Sequence, residues 1–79
     1  MKSAPQVLYK GFALTPVVVH EAGGLFTAMV IVRDPTGAVR ASGEIGQFAS
    51  VLEARSYAVQ YGMADVDDRQ PPMPDKQHA

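Results

Sequence analysis

The stretch Leu25-Phe26-Thr27-Ala28-Met29-Val30-Ile31-Val32-Arg33, followed by Asp34-Pro35-Thr36-Gly37, decides the fold. β-branched and aromatic residues crowd the first nine positions, a composition that suits a pleated strand. The next four place Asp first, Pro second and Gly fourth. That is the order of a type I turn, because Pro presets φ and Gly accepts the positive φ that often closes such a hairpin. A strand over 25–33 therefore turns back into another, from Ala38 to about Phe48, weakened by Gly43 and Gly46.

Upstream, Phe12 to Glu21 reads as a strand, with Val17, Val18 and Val19 in a row. Pro16 has no N–H for a ladder, so the strand is an edge there or carries a bulge. Ala22-Gly23-Gly24 is a turn signal between the two strands. Downstream, the period changes. Ser50-Val51-Leu52-Glu53 has the S-x-x-E form of a capping box, and a helix follows from about Val51 to Ala64. On it Val51, Ala54, Ala58, Tyr61 and Gly62 share a face of mostly small residues, opposite Glu53, Ser56 and Gln60. Arg55 falls within the apolar arc and has to snorkel or find a partner. Asp65, Asp67 and Asp68 crowd the helix end, where the macrodipole disfavours negative charge.

The expectation is an α+β fold, a three-stranded antiparallel meander with one C-terminal helix on it (β-β-β-α). Residues 1–10 read as a lead-in in which Val7, Leu8 and Tyr9 could pair or pack. Residues 11–66 form one domain. Residues 67–79, with three prolines and one large apolar side chain, Met73, read as a disordered tail.

One helix covers one face of a sheet, and both faces of these strands are apolar. Phe26, Ala28, Val30 and Val32 point one way; Leu25, Thr27, Met29 and Ile31 point the other. The first strand sets Phe12, Leu14 and Val18 against Ala13, Val17 and Val19. A solvated outer face should alternate to polar residues. Something is therefore expected to cover the second face, at Val17, Val19, Thr27, Met29 and Ile31: a second copy in a homodimer, or another protein. The plainer alternative is that Val7, Leu8 and Tyr9 fold back over it.

Composition narrows the function classes. Seventy-nine residues make one small domain. Val, Leu, Ile and Phe supply 19 of them, above the level of a disordered chain. The net charge of −1 announces no phosphate-backbone binder. Without cysteine there is no disulfide framework and no thiolate chemistry. No signal core or membrane-spanning stretch is visible, which points to a cytoplasmic protein.

Candidate chemistry is thin. His20-Glu21 could start a metal or acid–base site, but no further His or Cys stands at ligand spacing, and a surface histidine at a strand end is the better reading. Asp65-Val66-Asp67-Asp68 lacks the later Gly and distal Glu of a calcium loop. Gly43-Glu44-Ile45-Gly46 is a lone G-x-x-G at a strand end, better suited to a bulge or a close helix approach. Ser42, Ser50 and Ser56 have no histidine base in any motif. Glu44 and Glu53 could converge as paired carboxylates, but Glu53 already has a capping role. No cofactor or metal is called for, and the chain reads as a non-enzyme. Lys10, Arg33 and Arg40 are the basic residues on or beside the strands. They make a nucleic-acid-binding sheet the alternative function. Tyr57 and Tyr61, four apart, suit a core or interface better than a stacking platform.

The pattern Gly24-x-Phe26-x-Ala28-x-Val30-x-Val32-x-Asp34, then Gly37, then Gly46-x-Phe48-Ala49-Ser50 and Glu53-Ala54, resembles small uncharacterised proteobacterial β-β-β-α proteins. In outline it is similar to the N-terminal domain of HicB-type antitoxins and to the AP2-like domains of phage integrases. The resemblance spans about residues 9–66 and implies a binding or regulatory role. The HicB type continues into a further strand and a DNA-binding segment, where this sequence has a short Pro-rich stretch. AP2-like sheets carry several arginines and tryptophans, and Trp is absent here. No functional residue carries over from either family. The chain is thus read as a small regulatory or protein-interaction module, homodimeric through its second sheet face.

Overall fold

The computed structural model describes residues 6–67. One antiparallel sheet holds strands β1 (Val7–Tyr9), β2 (Phe12–His20), β3 (Phe26–Arg33), β4 (Val39–Ala41) and β5 (Gly46–Phe48). One helix, α1 (Val51–Val66), packs on β2, β3 and β5. The expected α+β architecture, a meander followed by a helix on the sheet, is the one observed. Of the stretch 67–79, read above as a disordered tail, Asp67 caps the end of α1 and residues 68–79 lie outside the described residues.

Two features refine the meander. The lead-in contributes a strand. Val7, Leu8 and Tyr9 pair with Leu14, Ala13 and Phe12, and so lie beside β2 instead of folding over the second face. The connection is the two-residue turn Lys10-Gly11 with φ of 52° and 85°. Positive φ at both positions belongs to a type I′ hairpin, which matches the twist of the strands it joins. Lys is a rare choice at such a position, so the turn carried little signal in the sequence.

The third strand of the expectation is broken. β4 and β5 both pair with β3, but Ala41 stands opposite Ile31 while Gly46 stands opposite Ala28. The four residues between, Ser42 to Ile45, therefore face two residues of β3, which is a bulge. Gly43 turns the chain there, and side chains and loop amides fill the gap. Ser42 N–H donates to Val30 C=O (2.9 Å), Val30 N–H donates to Ser42 Oγ (3.0 Å), and Ile45 N–H donates to Ala28 C=O (3.0 Å). The Gly43–Gly46 motif is spent on this geometry.

The β3–β4 turn closes as expected. Gly37 N–H donates to Asp34 C=O (2.9 Å), and the Asp34 carboxylate accepts from Thr36 N–H (2.9 Å), Thr36 Oγ1 (2.6 Å) and Ala38 N–H (3.0 Å). Those donors, Thr36 Oγ1 foremost, hold the Asp34 carboxyl below its ordinary range.

The core lies between helix and sheet. Leu14, Ala28, Val30 and Val32 meet Ala54, Tyr57 and Ala58, with Val7, Tyr9, Phe12, Phe26 and Phe48 around them. Small helix residues allow a close approach, and Gly62 marks its limit. A Cβ there would lie 3.2 Å from a Leu14 methyl and 3.3 Å from a Val30 methyl. Val51, expected on the packed face, is exposed, and the buried residues of the helix start at Ala54. Ser50 caps the helix by accepting from Glu53 N–H (3.1 Å).

The acidic helix end finds cations on the sheet. Lys10 Nζ and Tyr9 OH both donate to the Asp67 carboxylate at 2.6 Å, and Arg40 pairs with Asp65. Both cations are held more firmly protonated by these partners. The helix extends two residues past Ala64 because its terminal charges are answered from β4 and the β1–β2 turn.

Candidate interaction surface

Side-chain alternation sorts the sheet into two faces. Leu14, Pro16, Val18, Ala28, Val30, Val32, Arg40 and Phe48 face the helix, as their register partners require. Leu8, Ala13, Thr15, Val17, Val19, Thr27, Met29, Ile31, Arg33, Val39 and Ala41 face away. Among the described residues no helix or strand packs on this second face. Leu8 is 77 % exposed, Val39 55 %, Val19 38 % and Ile31 36 %, while Val17 and Met29 at the centre are half-buried. β3 is about 27 Å long at ~3.4 Å per residue, and β1 to β4 span roughly 15–20 Å. The open face is thus several hundred Å² in plan.

Of the five residues singled out there, Val17 and Met29 are register partners, as are Val19 and Thr27, and Ile31 lies two positions from Met29 along β3. The structure brings all five onto one surface. Thr27 differs from the other four. It is 1 % exposed, its Oγ1 donates to Glu21 Oε2 (2.8 Å), and it accepts from Gln47 Nε2 (3.3 Å). Glu21 and Gln47 thus cap the patch at one end, and Arg33 stands at the other. The chemistry of these two ends was not legible in the sequence, because Gln47 reaches Thr27 only through the register set by the bulge.

The three cations of the alternative reading do not share a surface. Arg33 lies on the open face, opposite Ala13 and Val39. Arg40 lies on the helix face with Asp65, and Lys10 sits in the β1–β2 turn with Asp67. Arg33 and Arg40 flank one turn but point to opposite sides.

His20 stacks on Phe26 with ring centroids 4.7 Å apart, and Phe48 touches Tyr57, which touches Tyr61. A cleft of about 100 Å³ between α1 and β4 is lined by Val30, Val32, Arg40, Ala41, Ser42, Tyr61 and Asp65. Its only charges are the paired Arg40 and Asp65, and Ser42 is committed to the bulge. Among the described residues no group of three or more His, Cys, Asp or Glu side chains gathers as a metal site. No helix among them is long and apolar enough to cross a membrane. Comparisons with protein-family models, with curated proteins and with solved structures returned no match.

Proposed function

We propose that this chain is a non-enzymatic interaction module that pairs with a second copy of itself across the open sheet face. The observation that carries the reading is the uncovered apolar row Val17, Met29, Ile31 and Val39, backed by exposed Leu8 and Val19. Small domains are marginal alone and gain most from burying such a face. The charges at its ends favour a like partner. Glu21 sits at the Thr27 end of β3 and Arg33 at the other end. Two copies stacked with their β3 strands antiparallel bring the Glu21 of each toward the Arg33 of the other, a self-complementary patch of the kind twofold interfaces need.

The test is the double substitution Met29→Asp, Ile31→Asp, with mass read by light scattering. The fold should survive, since neither residue belongs to the helix-side core, and the face contact should be lost, so that the assembly shrinks. Unchanged association in a folded variant would overturn the reading. A nucleic-acid-binding sheet has less behind it, because Lys10 and Arg40 are engaged by Asp67 and Asp65. Salt-dependent binding of duplex or single-stranded DNA or RNA, lost on Arg33→Ala, would revive it.

A further inference from the structure

β2 is longer than the strand that covers it. β1 pairs only with Phe12 to Leu14, and among the described residues no strand lies beside Thr15 to His20 on that side. Which backbone groups this leaves open follows from the bulge. Ala28 C=O and both polar backbone groups of Val30 are turned toward the β4–β5 side. Backbone direction alternates along an antiparallel strand, so Thr27, Met29 and Ile31 turn toward β2 and meet Val19, Val17 and Thr15. The alternate residues, Pro16, Val18 and His20, therefore turn outward. The open lane displays the N–H groups of Val18 and His20 and the C=O groups of all three.

Pro16 fits this lane. It sits opposite Val30 without a bulge, and the N–H it lacks would have pointed to the empty side.

We propose that the β2 edge from Pro16 to His20 takes the same edge of a second copy, antiparallel, about a twofold axis at Val18. The lane is self-complementary in that register. Val18 exchanges both of its bonds with the partner's Val18, and each His20 N–H reaches the partner's Pro16 C=O. The missing N–H of each Pro16 then leaves the partner's His20 C=O unmet, one acceptor at each margin and none at the centre. The end of β1 at Val7 fixes how far the incoming strand can slide, and Gln6 is already outside the strand. Strand addition of this kind draws its affinity from main-chain bonds. The contact is separate from the open face, so it does not depend on the stacking proposed above.

The test is amide exchange by NMR at two concentrations, made in the wild type and in the Met29→Asp, Ile31→Asp variant, which removes the face contact. At high concentration the Val18 and His20 amides should be protected, and on dilution they should exchange as open amides. Val17 and Val19, bonded to β3, should stay protected throughout. An isotope-filtered experiment on mixed labelled and unlabelled chains should show an intermolecular contact between the Hα atoms of Val17 and Val19. Protection that persists in the face variant, with that contact, supports the edge pairing. Val18 and His20 amides that exchange freely at every concentration overturn it, whatever the mass. Concentration-dependent protection in the wild type that vanishes in the face variant also overturns it, and assigns self-association to the face alone. Protection that is independent of concentration overturns it in favour of a segment of the same chain in the lane.

Discussion

The two faces of β3 are made of nearly the same residue types and stand in opposite conditions. Ala28, Val30 and Val32 are at most 4 % exposed beneath the helix, while Ile31, one position along, is 36 % exposed on a face with no cover. The difference lies in what each face meets. The helix offers Ala54, Ala58 and Gly62 to the first face, side chains short enough for the strand methyls to touch its backbone. No helix or strand of the described chain packs on the second face, which meets only Glu21 and Gln47 at its Thr27 end, yet it keeps Val17, Val19, Met29 and Val39 where solvent would favour Thr, Lys or Glu. Apolar composition therefore measures how much surface a strand should bury and leaves open whether the same chain buries it.

The sharpest way to break this comparison is to truncate one residue on each face. Leu14→Ala should cost about 3 kcal/mol in denaturant unfolding, since Leu14 is fully buried and its loss leaves a cavity. Ile31→Ala, measured where the chain is monomeric, should cost about 1 kcal/mol or less. Equal costs would mean that the open face is covered in solution even at high dilution.

Filling the helix–sheet seam comes next. Gly62→Val should destabilise by about 2 kcal/mol, because its branches would enter the space of Leu14 and Val30. A neutral result would show that the helix can lift off the sheet at little cost. Ser50→Ala should lose about 1 kcal/mol with the helix cap, and the loss should be the same for monomer and assembly.

The smallest expected effect is one of pH. The Asp34 carboxyl is held below its ordinary value of 3.8 by Thr36 and the turn amides. Its contribution is present above that value and disappears as pH falls through the lower, folded one. Asp34→Asn should flatten that part of the acid limb of the stability profile. An unchanged limb would mean that the turn carboxylate adds nothing to the fold. The turn lies away from the centre of both faces, so association should not follow this titration.

How far the sequence spoke follows the same division. β3, its turn and the Ser50 cap were legible because each depends on neighbouring residues: β-branched runs, Asp-Pro-x-Gly order, S-x-x-E spacing. At Pro16 the missing N–H, a local fact, narrowed the strand to an edge or a bulge, and the pairing of Pro16 with Val30 leaves no bulge there. β1 was not, because three residues joined by Lys-Gly give neither length nor a favoured turn. The bulge at Ser42–Ile45 was hinted at by its glycines, but its size depends on how β4 and β5 register against β3. The Arg40–Asp65 and Lys10–Asp67 pairs join residues 25 and 57 positions apart, which spacing does not reveal. Of the candidate surface, the apolar stripe was visible as a period of two. The Glu21–Thr27–Gln47 cap at its end needed the three-dimensional register.

The open face, on the reading proposed above, is an interface between copies of this chain. Absolute mass by light scattering across a dilution series tests it most directly. The mass should exceed the 8.4 kDa of one chain at high concentration and fall toward it on dilution, and the Met29→Asp, Ile31→Asp variant should form a smaller assembly wherever the wild type is associated. A wild-type chain that stays at 8.4 kDa across the whole series would contradict it.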